Sequence, residues 1–356
     1  MLWFNLFLFI TFVILLNAHP EHSSKPWVLH VPPVWRPENR TTLNNIKITD
    51  MHPDGKTQLL THLGNVLDDR LVRVNSFTDG ELVDAFEHFF WGKSGGIAIE
   101  LGALDGTWRT YSQTEDMEEF GWKRLLIDGN PKYRNSMPRL SSSAYCVLGA
   151  ICMTDDDDSK IVHYRSKDYV GGILEFMSHS FVEKFHNDVH MAGHPPGNLT
   201  SVDWDSQAIQ NLAISPVHCV RLSTILHHAH VRHVHFFILD VEGGELEVLQ
   251  SISWKHTTFD VLCIETEKTN RPEGYEEKIT AFLKEKGYAH YVNRGRNSWY
   301  LREGFVPSLR PSAKPKCFNG ARKSALSELN NKQRKNEKFI PCKELSENYG
   351  TDIHSV

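Results

Sequence analysis

The chain has six cysteines, Cys146, Cys152, Cys219, Cys263, Cys317 and Cys342, but no C-x-x-C pair among them, which argues against a zinc site. It has little net charge, −5, and so no strong field to attract nucleic acid. It lacks internal repeats, heptads and a collagen-like period. Its opening apolar run, residues 1–16, carries no Lys or Arg. That run also falls short of the roughly 20 residues a membrane span requires.

That run precedes Asn17-Ala18-His19-Pro20, with Ala18 suited to the last position before cleavage. Residues 1–18 therefore read as a signal peptide or a retained short membrane anchor. Either directs the remainder into the secretory pathway. The sequons Asn39-Arg40-Thr41 and Asn198-Leu199-Thr200 agree with that compartment. Cys317 and Cys342 flank a basic stretch that a disulfide would order, whereas Cys263 reads as a buried thiol within an apolar strand.

The rest has ordinary globular composition, 40% apolar over 356 residues. Residues 19–75 hold scattered prolines without sustained periodicity and are expected to be an extended lead-in. Residues 306–356 form a polar tail; its 306–343 stretch has ten Lys or Arg against two Glu and reads as solvated. Between them lies a β-α alternation. A helix is expected over 78–91, strands near 97–101, 124–128, 145–151, 160–166 and 217–222, and helices over 107–120 and 223–230. Strands at 235–239 and 259–265, a helix at 275–286, and a hairpin of 288–293 with 298–301 follow. Residues 168–215 read as loop-rich. Such alternation implies a mostly parallel sheet with helices on both faces, closed by an antiparallel hairpin.

Four strands in succession end in an acid: Glu100, Asp128, Asp240 and Glu265. In a parallel sheet these lie along one carboxyl edge, where such sheets bind ligands. After the first strand come Gly102 and Gly106, which permit a tight turn and close approach of main chain to ligand. Their spacing departs from the dinucleotide fingerprint, so a nucleoside ligand without a pyrophosphate fits better. Asp128 follows Gly106 at about the 20-residue offset at which an acid binds ribose hydroxyls. Asp155–Asp158 reads as a solvated turn. The histidines at 227, 228, 230, 233 and 235 cross from helix to strand and are not expected to share a face as metal ligands.

Three segments together are similar to the FkbM-type methyltransferase domain: Ile99–Gly106, Leu126–Pro131 and Leu239–Glu245, the last reading Leu-Asp-Val-Glu-Gly-Gly-Glu. The resemblance covers about 95–300 and implies a domain over 76–305 with a Rossmann-like seven-stranded sheet. It also implies S-adenosylmethionine as methyl donor and a hydroxyl-bearing glycan or small molecule as acceptor. By that likeness Glu100, Gly102, Asp105, Gly106 and Asp128 would bind the donor, and Asp240 and Glu242 would stand at the reaction edge. The family usually has Glu where this chain has Asp128, which shortens the carboxylate's reach. Residues 100–128 are similar to the animal branch of the family, which includes a membrane-anchored trafficking factor. A catalytically silent domain used in cargo binding is therefore the alternative to an enzyme.

Overall fold

The computed structural model describes residues 25–32, 35, 53–73, 80–107, 111–154, 160–167, 170–191, 211–267 and 271–311. Both sequons, the 155–158 acid run, the apolar run 1–16, Cys317 and Cys342 lie outside these residues.

Among the described residues twelve strands form two sheets. They are β1 (Val28–His30), β2 (Gly96–Leu101), β3 (Trp122–Asp128), β4 (Tyr145–Leu148), β5 (Ala150–Ile151) and β6 (Ile161–Arg165). There follow β7 (Gly172–Ile173), β8 (Ile214–Val220), β9 (His233–Leu239), β10 (Thr258–Glu265), β11 (Tyr288–Arg294) and β12 (Asn297–Arg302). The large sheet runs β1-β4-β3-β2-β9-β10-β12-β11. Its five central strands are parallel. Both edges are antiparallel: β1 on β4, and the closing hairpin β11–β12 on β10.

The sheet is therefore eight-stranded and mixed, not the seven-stranded, mostly parallel one expected. The added strand comes from the lead-in: Leu148 donates from its backbone to Trp27, whose side chain is fully buried. The lead-in also holds a helix, Pro53–Arg73, whose Leu63 and Leu67 pack beneath the sheet. Its apolar strip is narrow, which hides it from a periodicity test.

Successive residues of the central strands serve opposite faces. Ile99, Leu101, Phe237, Leu239, Leu262 and Ile264 pack on helices Leu222–His228, Glu245–Gln250 and Tyr275–Glu285. Ala98, Phe236, Ile238, Val261 and Cys263 face helix Glu81–His88 and the Pro53–Arg73 helix. Cys263 is a buried thiol outside the disulfide.

Three other local expectations change. Among the described residues of 107–120 only Glu115–Phe120 is helical, as a 3-10 turn, because the side chains of Ser112 and Thr114 bond to Glu100 instead. The strand expected over 145–151 breaks at Gly149, and its last two residues join a second sheet, β5-β8-β6-β7. The 168–215 stretch contains β7, the start of β8, and helices His179–Phe185 and Asn187–Met191. A disulfide, Cys152–Cys219, fastens the residue after β5 to β8. The chain after 305 turns back, with Ser308 bonding Phe89 and Arg310 pairing with Glu87.

Candidate active site

From β2 the chain order runs outward in both directions, so the switch point lies between β2 and β9. Ligands of open α/β sheets bind outside the strands' carboxyl ends at such a seam. A pocket occupies this place, and the small sheet forms its far wall. Gly102, Asp128, Asp240 and Glu242 line it, as do Leu104, Gln113, Tyr164 and Arg296. Among the described residues, three of the four non-glycine residues with positive φ stand here: Leu104 at 55°, Tyr111 at 72° and Glu242 at 59°. Such backbone strain clusters where function over-determines geometry.

Asp128 ends β3 and is 3% exposed. Its Oδ2 accepts from the Leu104 amide at 2.8 Å and its Oδ1 from the Asn130 amide at 2.7 Å. Burial outweighs those bonds and lifts its pKa to about 7. Gly102, at φ +91°, abuts the main chain of Asp240, whose amide bonds to Leu101. Gln113 contributes a buried Oε1 without a hydrogen-bond partner among the described residues.

Asp240 and Glu242 begin the turn after β9. Burial, then the charge of Asp240, lifts Glu242 to a pKa of about 8, against the pull of Arg271 at 3.5 Å. Beneath the turn lies a sealed charge network. Glu245, with no exposure, accepts from the Gly243 amide at 3.1 Å and from Arg271 at 2.9 Å. Arg271 also bonds Glu265 at 2.6 Å, and Glu265 pairs with Arg296 at 3.2 Å. Glu265 is held well above the usual carboxylate range by burial and by Asp240 and Glu242. Asp240, Glu242 and Glu265 bring oxygens within 4.8 Å of one another, with Arg271 and Arg296 balancing their charge.

The remaining predicted residues stand behind the pocket rather than in it. Glu100 is spent on the loop that carries Gln113: it accepts from Ser112 at 2.9 Å, from the Gln113 amide at 2.8 Å, and from Thr114. Asp105 caps Thr107, through bonds of 3.0 Å from its amide and 2.8 Å from its hydroxyl. Gly106 leaves room for Leu126 and Ser141, and its carbonyl accepts from Arg124 at 2.8 Å. These three shape the turn; Gly102, Asp128, Asp240 and Glu242 meet the pocket.

Sequence reasoning missed Gln113, Tyr164, Arg271 and Arg296. Arg296 was findable, since a hairpin antiparallel to β10 puts its turn at the carboxyl edge, with Asn297 opposite Glu265. At the opposite edge His233 and His235, two apart on β9, do share a face, with ring centroids 4.6 Å apart beside Asp260. His235 Nδ1 accepts from the Ile97 amide at 3.0 Å, which leaves the proton of the neutral ring on Nε2, and His233 pairs with Asp260 at 2.9 Å. That arrangement is an ion-pair cluster rather than a set of free metal ligands.

A family model described as the methyltransferase FkbM domain matches residues 100–289. No curated protein matches. Among solved structures, precorrin-6y C5,15-methyltransferase from Geobacter metallireducens GS-15 aligns with 58% of this chain and 79% of its own, at 10% identity and a TM-score of 0.27.

Proposed function

The chain belongs to the methyltransferase FkbM domain family, and we propose that it is an S-adenosylmethionine-dependent O-methyltransferase acting on a hydroxyl of a glycan or small molecule in the secretory pathway. The observation that carries this reading is Asp128. A carboxylate buried at the end of the second central strand, held by two main-chain amides, faces the same pocket as Gly102, Asp240 and Glu242. Its remaining lone pairs suit the two hydroxyls of a ribose.

The pocket fits such a donor. A Cβ at Gly102 would fill the cradle beside Asp240. The unpartnered Gln113 Oε1 calls for an amine or hydroxyl donor from a ligand. Asp128 and Asp240 facing one space suit a cationic ligand. When bound, S-adenosylmethionine supplies a methyl group on a positively charged sulfur. The protein's share is alignment and proton removal. The turn at 240–245, fixed from below by Glu245 and Arg271, holds Asp240 and Glu242 rigidly at the seam. Glu242, poised near neutral pH, accepts the acceptor's hydroxyl proton. Arg296 and the loop that carries Gln113 bound the acceptor's approach.

The Cys152–Cys219 disulfide supports an oxidising compartment, in line with the apolar run at 1–16. Among the described residues no helix is long and apolar enough to cross a membrane.

Calorimetry with S-adenosylmethionine and its demethylated product tests the donor half. Transfer of labelled methyl to a panel of glycans tests the acceptor half. Binding without transfer to any acceptor would favour a silent binding domain, and no binding at millimolar donor sinks the reading.

A further inference from the structure

Tyr164 belongs to β6 of the small sheet, yet it forms part of the pocket and is only 6% exposed. Two glycines clear its place. A Cβ on Gly129, the residue after Asp128, would lie 2.7 Å from the ring's Cδ2. One on Gly171 would lie 2.9 Å from the phenolic oxygen. The ring thus sits where the neighbour of Asp128 would otherwise project its own side chain.

The order of the strands says what this ring meets. Across the sheet stand β4, β3, β2 and β9. A nucleoside donor whose ribose is held by Asp128 at β3, and whose reacting sulfur lies toward Gly102 and Asp240 at β2 and β9, has one direction left for its base. That direction is β4, where Gly149, Ala150 and Ile151 line the pocket with main chain and small apolar groups, and Tyr164 rises from the adjoining sheet. Planar bases bind by stacking on aromatic rings.

We propose that Tyr164 is the specificity-determining residue for the donor's base, stacking a purine between the small sheet and the bend at Gly149–Ile151. The assignment rests on the donor reading above. It gives the second sheet a task, that of carrying an aromatic wall to a site whose acids all come from the first. The disulfide anchors that wall, because Cys152 directly follows Ile151 and Cys219 lies on β8, the strand paired with β6.

The test compares Tyr164→Phe and Tyr164→Leu with the wild type, using S-adenosylhomocysteine and 5′-methylthioadenosine as probes in calorimetry. Stacking on one base contributes about 1–3 kcal/mol, or roughly ten- to hundred-fold in affinity. Tyr164→Leu should lose that much for both probes when measured well below its melting temperature, which burial of the ring makes lower than the wild type's, while Tyr164→Phe stays within about threefold. Should the Leu variant not fold, saturation-transfer NMR on protein protonated only at tyrosine decides. Measured in a Tyr111→Phe background, since Tyr111 also lines the pocket, signal reaching adenine H2 and H8 should vanish on adding Tyr164→Phe while binding persists. Undiminished affinity in the folded Leu variant, or persistent transfer in the Phe variant, overturns the assignment. Where the wild type binds neither probe the donor reading fails with it; where it binds and the variants match it, only the role of Tyr164 falls.

Discussion

Gly102 and Asp240 touch across the seam of the sheet, so closely that a Cβ on the glycine would lie 1.9 Å from the aspartate's carbonyl oxygen. No rotamer relieves a clash with main chain, and φ at +91° adds strain to any L side chain. Gly102→Ala should therefore cost several kcal/mol, at the large end for single substitutions. A melting temperature within a degree or two of wild type would show that the seam is looser than described.

Asp128→Asn separates two pH effects. The folded pKa of about 7 stands above the ordinary 3.8, so folding takes up a proton between those values and ligand-free stability falls as pH rises through that window. The Asn variant should remove this slope. Donor affinity should move oppositely, rising as pH passes about 7 because the ionised carboxylate is the better acceptor for ribose hydroxyls. Calorimetry from pH 6 to 8.5 checks it, and an affinity that ignores pH would contradict the ribose assignment.

Glu242→Gln should lower kcat/KM by about a hundred- to ten-thousand-fold while leaving donor affinity within a few-fold. In the wild type the rate should climb through pH of about 8 and level above it. Equal losses in donor binding and rate would make Glu242 a binding group instead.

Arg271→Met strands Glu245 and Glu265 without their shared cation. Breaking such a buried set typically costs about 3–5 kcal/mol. Adding Glu265→Gln should restore part of it, a coupling that a double-mutant cycle in denaturant measures. Strict additivity would mean the pair does not communicate.

Cys152→Ser frees a link that closes 67 residues, for which loop entropy predicts a loss of about 4 kcal/mol. Donor affinity should fall as well, since Ile151 and Tyr164 sit on either side of the link. Unfolding and binding measured on the same sample give both quantities.

The central strands were legible because Ile97–Leu101, Leu125–Asp128 and Phe236–Leu239 are apolar toward both faces and close on an acid or a turn. The same acids marked the binding edge. What each acid does there was not legible, because a strand end fixes position but not partner. Glu100 turns to Ser112 and Thr114, Glu265 to Arg271, and only Asp128 and Asp240 face the pocket. The helix Pro53–Arg73 escaped notice because, among its described side chains, burial is confined to a thin strip around Leu63 and Leu67. The second sheet escaped because two-residue strands such as Ala150–Ile151 and Gly172–Ile173 exist only through their partners.

The short strand at Val28–His30 has a practical meaning. The stretch that carries the family likeness ends at 289 and omits both this strand and β12, which stands between β10 and β11. A fragment trimmed to the recognisable span would bare the β10 edge and leave β4 uncovered, two unprotected templates for aggregation. Expression should begin by residue 25 and run to at least 311, where the last described contacts return to Glu87 and Phe89.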